Sequence, residues 1–281
     1  LTTSSFLPAV RNTDIMRGKT YVGIDFGTST TVVSIASYDQ NNNLINTNSL
    51  RLKQKLPDGT LYSSEIVPSV IAWNNNQILV GEGASQLKYY LKRGKNIWYS
   101  FKMELGEDLG AKYYESELRD VEPFCIRNPK DAARVFFAYL KYLITGYCNE
   151  NNLSNDILYA VSIPASFEAN QRKDLLDALM ANEMKVAKQA LIDEPNAAFI
   201  SYAMSRAIEG KPMLVNPEYN SKVLVFDFGG GTCDISILEI GQNANGFFSK
   251  NIAISKFTKL GGDDIDRYIT CLLYTSPSPR D

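Results

Sequence analysis

The sequence predicts an α/β protein, and three observations carry that prediction. A hairpin of two apolar strands around a glycine-rich turn occurs twice, with Asp227 of the second copy 202 residues after Asp25 of the first. Between the copies, an apolar strand pattern is followed by helical ones. The chain has 281 residues, 44% hydrophobic and 21% charged, an ordinary globular composition. At about 150 residues per domain that length allows two domains.

The elements follow in order. The first hairpin reads Tyr21-Val-Gly-Ile-Asp25-Phe-Gly27-Thr28-Ser29-Thr30, then Thr-Val-Val-Ser-Ile35. Residues 55–60 (Lys-Leu-Pro-Asp-Gly-Thr) form a turn signal, with Pro and Gly where a hairpin needs them. Residues 158–162 alternate as a strand. Residues 164–184 read as a helix after a turn, and 196–208 as a second helix. In the latter, Ala197, Ala198, Ile200, Ala203 and Met204 make a small-residue packing face. Residues 210–220 carry prolines and asparagines and read as a loop. The second hairpin is Val223-Leu-Val-Phe-Asp227-Phe-Gly229-Gly230-Gly231-Thr232, then Cys-Asp234-Ile-Ser-Ile237. A last helix begins near 263–268 and is expected to stop within about two turns.

The repeat points to chemistry. At the same offset Phe26 matches Phe228, Gly27 matches Gly229, Thr30 matches Thr232 and Ser34 matches Ser236. Glycines in a tight turn permit positive φ and close approach of a ligand. Their backbone N–H groups can converge on an anion, and Thr and Ser hydroxyls add uncharged donors. An Asp at the strand end would repel a phosphate on its own. It fits if Mg²⁺ lies between, because Mg²⁺ takes one or two carboxylates together with waters and phosphate oxygens. Two such turns facing each other would clamp the β- and γ-phosphates of a nucleotide. A single turn of this kind is commonplace; the matched Asp and Thr pairs are what point to a ligand. Other phosphate motifs fail. Gly18-Lys19-Thr20 lacks the leading glycine of a P-loop, since position 13 is Thr. Gly81-Glu82-Gly83 lacks the third glycine of a dinucleotide fingerprint.

Charge and composition exclude other classes. With 29 basic and 31 acidic residues the net charge is −2, which argues against a nucleic-acid or anionic-membrane binder that works by bulk charge. No apolar run approaches about 18 residues, so no spanning helix is expected. There are no histidines, which removes Ser-His-Asp and Cys-His mechanisms and the commonest zinc ligand. Cys125, Cys148, Cys233 and Cys271 form no C-x-x-C pair; four reduced thiols and a cytoplasmic location are expected.

The ends look different from the rest. Residues 1–15 have no strand or helix period and no signal-peptide design. Met16 is the expected true start, and 1–15 a non-native leader. Residues 271–281 resemble a foreign read-through tail.

Five segments, in order, resemble the ATPase domain of the seventy-kilodalton heat-shock chaperones (DnaK type), within the actin-like ATPase superfamily. They are the first glycine turn, Ala160-Val-Ser-Ile-Pro164-Ala-Ser-Phe167 with Gln171-Arg172, Ile192-Asp-Glu194-Pro195-Asn-Ala197-Ala198, the second glycine turn, and Leu260-Gly261-Gly262-Asp263-Asp264-Ile-Asp266. The likeness spans about 20–268. It implies a two-lobed actin-like (ribonuclease H-like) α/β fold around a nucleotide cleft, with the second lobe incomplete. Residues 16–208 would be the first lobe, with 50–128 an inserted upper subdomain. Residues 209–221 would be a loop, longer than the family's, and 222–270 the start of the second lobe.

The resemblance also implies roles. Gly27, Thr28, Ser29 and Thr30, with Gly229, Gly230, Gly231 and Thr232, would bind the phosphates of ATP. Asp25, Asp227 and Glu194 would hold the water shell of Mg²⁺. Thr232 and Asp234 would place or deprotonate the attacking water. Lys102 would neutralise charge on the transferring γ-phosphoryl; against this stands a solvated helix lysine, because Met103-Glu104 replaces the family's Arg-Leu. Such roles suit phosphoryl transfer, where positioning and electrostatics do most of the catalysis. Implied partners are an unfolded client, a J-domain co-chaperone and a nucleotide exchange factor, with neither nucleic acid nor membrane. The alternative is a filament-forming actin-like ATPase. The family's adenosine-binding G-G-x-S-x-x-P segment does not occur in this sequence. The chain as given is therefore expected to bind ATP weakly or not at all in isolation, and to expose strand edges.

Overall fold

A computed structural model describes residues 18–38, 44–212, 220–243, 246–255 and 260–275. The leader 1–15, most of the loop 209–221 and residues 276–281 of the tail lie outside the described residues.

The first strand, β1 (Thr20–Phe26), alternates as its sequence dictates: Val22, Ile24 and Phe26 are buried, while Gly23 and Asp25 face out. It turns at Gly27–Ser29 into antiparallel β2 (Thr30–Tyr38), in the register Asp25 opposite Val32. On the far side of β2 lie β3 (Leu44–Ser49) and, over its first residues, β6 (Ile66–Pro68). On the far side of β1 lie β10 (Ile157–Ile163) and β11 (Val186–Asp193), both parallel. The sheet order is β11-β10-β1-β2-β3. Parallel neighbours require long crossovers. One of them carries α3 (Pro129–Glu150) and the other α4 (Ala169–Met180).

Helix α3, the longest, starts where Asn128 Oδ1 accepts the Asp131 N–H at 2.8 Å, with Pro129 in the first turn. Its apolar side (Ala132, Phe136, Phe137, Leu140, Ile144, Cys148) is fully buried. There Phe26, Phe101, Phe136 and Phe137 form one aromatic knot, with centroids 5.0 Å apart for Phe26 and Phe137. Each buried phenyl is worth roughly 1.5–3 kcal/mol relative to exposure. Helix α4 is shorter than 164–184 suggests. Pro164 closes a turn onto the Phe167 N–H, and a capping box between Glu168 and Gln171 starts the helix only there.

The inserted segment begins with the hairpin β4 (Leu52–Lys55) and β5 (Leu61–Ser64). Its turn is the expected one: Asp58 Oδ1 accepts the Thr60 N–H at 2.9 Å and Gly59 takes φ 87°. A three-stranded sheet follows, β8-β7-β9, from β7 (Val70–Asn74), β8 (Gln77–Val80) and β9 (Ile97–Tyr99). Two short helices, α1 (Glu82–Ser85) and α2 (Gly110–Tyr113), and a 3₁₀ turn (Phe101–Glu104) complete it. Leu52, Ile71, Val80 and Trp98 join the main core, so the segment is welded to the first sheet.

The second lobe is a meander of β12 (Ser221–Phe228), β13 (Cys233–Asn243) and β14 (Gly246–Ile254). Helix α5 (Glu194–Ile208) covers one face, where Phe199, Leu238 and Ile240 are buried with Tyr202, Val223 and Val225 against them. On the other face Leu224, Phe226, Phe228 and Ile235 are exposed. The final helix, α6 (Gly262–Thr275), runs well past the two turns expected and has no buried residue. Among the described residues no helix is long and apolar enough to cross a membrane.

Candidate functional site

The two glycine turns meet. A side chain added at Gly230 would collide with the Ser29 hydroxyl, and one at Gly231 with the Thr28 side chain. The glycines are what let the turns approach so closely. The second turn is closed by the Gly229 N–H donating to Thr232 O at 2.9 Å. It is tied from behind by α6, whose Gly262 and Asp263 N–H groups donate to Gly229 O and Gly230 O at 3.0 and 2.8 Å. Thr28 and Thr232 are buried in this contact.

A cleft of about 650 Å³ opens beside the turns. It is lined by Asp25, Gly27, Thr28, Ser29, Thr30, Lys102, Glu194, Asp227, Gly229, Gly230 and Thr232. Of the residues expected from sequence, only Gly231 and Asp234 stand behind its wall. A larger groove, about 790 Å³, lies elsewhere, between β4, β8 and α3. The cleft is the better candidate because the paired turns and the carboxylates converge on it.

Lys102 is not a solvated lysine. It sits 4% exposed on the 3₁₀ turn that Ser100 opens with φ 58°. Its ammonium lies 5.8 Å from the rings of both Phe26 and Phe167 and donates to Glu194 Oε1 at 2.8 Å. Glu194 is the first residue of α5, directly after the end of β11. Burial pushes its carboxyl above the ordinary range; Lys102 opposes this, and the Asp25 and Asp227 charges add to it. Asp227 is also pushed up, first by partial desolvation and then by Asp234, with Asp25 adding and Lys102 opposing.

Among the described residues, Asp25, Glu194 and Asp227 line the cleft with Lys102 as its one ammonium, which leaves the site short of positive charge. Among the described residues no three acidic side chains converge closely enough to cage a metal directly. This donor set would suit a divalent cation held through its waters. Asp234 fits the same picture: it is 4% exposed, one carboxylate oxygen is hydrogen-bonded, and Oδ2 is buried with no partner.

Several functional contacts were not anticipated from sequence. Ser162 Oγ donates to Asp25 Oδ1 at 2.7 Å; the parallel register places the two opposite each other. Ser166 Oγ donates to Asp234 Oδ1 at 2.6 Å, from the first lobe to the second. Asp193 accepts from Arg172 Nη2 within the first lobe and from Asn251 Nδ2 across the lobes, each at 2.9 Å. Alternation within β10 marks Ser162; nothing local marks the others, because their partners are 58 or more residues away or lie on another element.

Comparison with known proteins agrees with this geometry. The family model described as Hsp70 protein matches residues 21–276. A heat shock cognate HSP70 protein of Trypanosoma brucei brucei is 34% identical over 223 residues, covering 71% of this chain and 29% of that protein. The chain therefore spans less than a third of the length of that relative. The family match favours the chaperone-type fold over the filament-forming alternative. With its facing turns, its β11-β10-β1-β2-β3 sheet and a partial second lobe of the actin-like ATPase fold, the chain belongs to the HSP70 family.

Proposed function

We propose that this chain handles the phosphates of ATP in a heat-shock-type chaperone, with Mg²⁺ as the metal. The observation that carries the reading is the meeting of the two glycine turns beside the Lys102–Glu194 pair. Backbone N–H groups of 27–30 and 230–232, with the Thr28 and Ser29 hydroxyls, hold phosphate oxygens, while the Gly229 N–H keeps the second turn closed on Thr232 O. A bound Mg²⁺ would supply positive charge there, and Asp25, Asp227 and Glu194 would hold its waters. Lys102, kept in place by Glu194 and two phenyl rings, offsets charge developing on the γ-phosphoryl. Thr232 orients the attacking water and Asp234, with its free Oδ2, accepts the proton.

Coupling to an unfolded client, and to a J-domain co-chaperone and an exchange factor, belongs to this reading through family membership. The four free cysteines suit a reducing cytoplasm. The test is single-turnover ATP hydrolysis with Mg²⁺. Lys102→Ala is expected to slow the chemical step roughly a hundred- to a thousand-fold while nucleotide binding persists. Unchanged single-turnover rates would remove Lys102 and this mechanism with it.

A further inference from the structure

The groove between β4, β8 and α3 has no part in the ATP reading, yet it is the larger concavity, at about 790 Å³. Strand β4 buries Leu52 and Gln54 and turns Arg51, Lys53 and Lys55 the other way, and all three line the groove. Lys141 of α3 faces them, donating to Asn182 O at 2.6 Å and pairing with Glu183 at 3.8 Å, and Glu150 is the single carboxylate of the lining. Lys53 uses that carboxylate, at 3.0 Å to both oxygens. Arg51 and Lys55 meet neutral acceptors instead: Ser63 O and Gln77 Oε1, each at 3.4 Å. The groove therefore keeps a surplus of positive charge in a chain whose net charge is −2. Its apolar lining comes from Leu79 and Leu143, and its rim carries Leu61, 66% exposed, and Tyr142, 74% exposed.

We propose that this groove is a docking site for an extended acidic segment of a partner protein, one that alternates carboxylates with apolar side chains. Residues two apart on a strand are about 6.8 Å apart. The cations of β4 therefore repeat at the spacing of alternate side chains on an extended peptide. The carboxylates meet Arg51 and Lys55, and the apolar residues meet Leu61, Leu143 and Tyr142. Binding is steered by charge and weakened by salt.

The test is fluorescence anisotropy of this chain with a labelled peptide alternating Glu and Val. Matched Ser–Val and Lys–Val peptides and a single-stranded oligonucleotide serve as controls. The Glu–Val peptide is expected to bind, about tenfold more weakly to the R51E/K55E double variant and more weakly with added salt. Equal binding of the Ser–Val peptide, or unchanged binding to the variant, overturns the proposal and points to the exposed face of β12–β14. Binding of the oligonucleotide but not the peptide overturns it in favour of a nucleic-acid surface. Carbodiimide cross-linking of the peptide to the unmodified chain reads the site without any variant. Cross-links at Lys53, Lys55 or Lys141 support the groove, and cross-links confined to Lys222 and Lys250 refute it.

Discussion

The two lobes use the same strand–turn–strand unit and bury it very differently. In the first, β1 is sandwiched in its sheet, and Phe26 beneath the glycine turn is fully buried against Phe101, Phe136 and Phe137. In the second, the matching Phe228 is 44% exposed at the end of an edge strand, stacked on Phe226 at 6.4 Å. The two turns share Asp, Phe, Gly and Thr at matched positions, with Thr28-Ser29 in one where the other has Gly230-Gly231, and their packing support differs. A hairpin with one glycine turn encodes a ligand contact; what surrounds it decides how firmly that contact is held. In this chain the second turn borrows rigidity from the first lobe, through Ser166 to Asp234, Asn251 to Asp193, and Ser249 to Asn196.

The contrast can be broken most forcefully in the core. Phe136→Ala should cost about 3–5 kcal/mol in urea denaturation. Phe226→Ala, on the exposed face, should stay within about 0.5 kcal/mol. Similar losses at the two positions would mean that the second lobe is packed as well as the first.

Comparable in size is Lys102→Ala, which strands Glu194 in a buried site. Removing one partner of a buried pair costs on the order of 3–5 kcal/mol. The pH dependence has a definite sign. Glu194 and Asp227 have folded-state pKa values raised from 4.5 and 3.8. The folded state then holds more protons, so their contribution to stability falls as pH rises from those unfolded values through the folded ones. Without Lys102 the Glu194 carboxyl rises further, so the loss should be greatest at neutral pH and shrink in acid. A loss independent of pH would place the Lys102 effect in packing. For the same reason, Mg²⁺ with ATP should raise the melting temperature more at neutral pH than at pH 4.

Smaller again is Ser166→Ala. Losing a hydrogen bond to a charged carboxylate costs roughly 1.5–3 kcal/mol. Hydrogen exchange should localise the effect to β12–β14 and spare β1 and β10. Uniform loss of protection would show that the lobes unfold as one unit.

Much of this was legible in sequence, for identifiable reasons. The hairpins, the Asp58–Gly59 turn and the strand at β10 are local patterns, and they fold as their patterns direct. The turn residues were readable because their chemistry repeats 202 positions apart. Helix α3 carried its start signal at Asn128-Pro129, yet the motifs gave no reason to look there. The start of α4 was displaced because Pro164 to Glu168 satisfies its own backbone before the helix begins. The burial of Lys102 was not legible, because Phe26, Phe167 and Glu194 come from three distant parts of the chain. The interlobe bonds of Ser166 and Asp193 were hidden for the same reason.

The central claim is that the two turns and the carboxylates beside them form one Mg²⁺–triphosphate site. The most direct measurement is the melting temperature of this chain at millimolar ATP, with and without Mg²⁺, for the unsubstituted chain and for Asp227→Asn. The account predicts a small rise, as weak binding at millimolar ATP gives, for the unsubstituted chain only when ATP and Mg²⁺ are both present, and no rise for the variant. A rise of equal size without Mg²⁺, or one that survives Asp227→Asn, would contradict it.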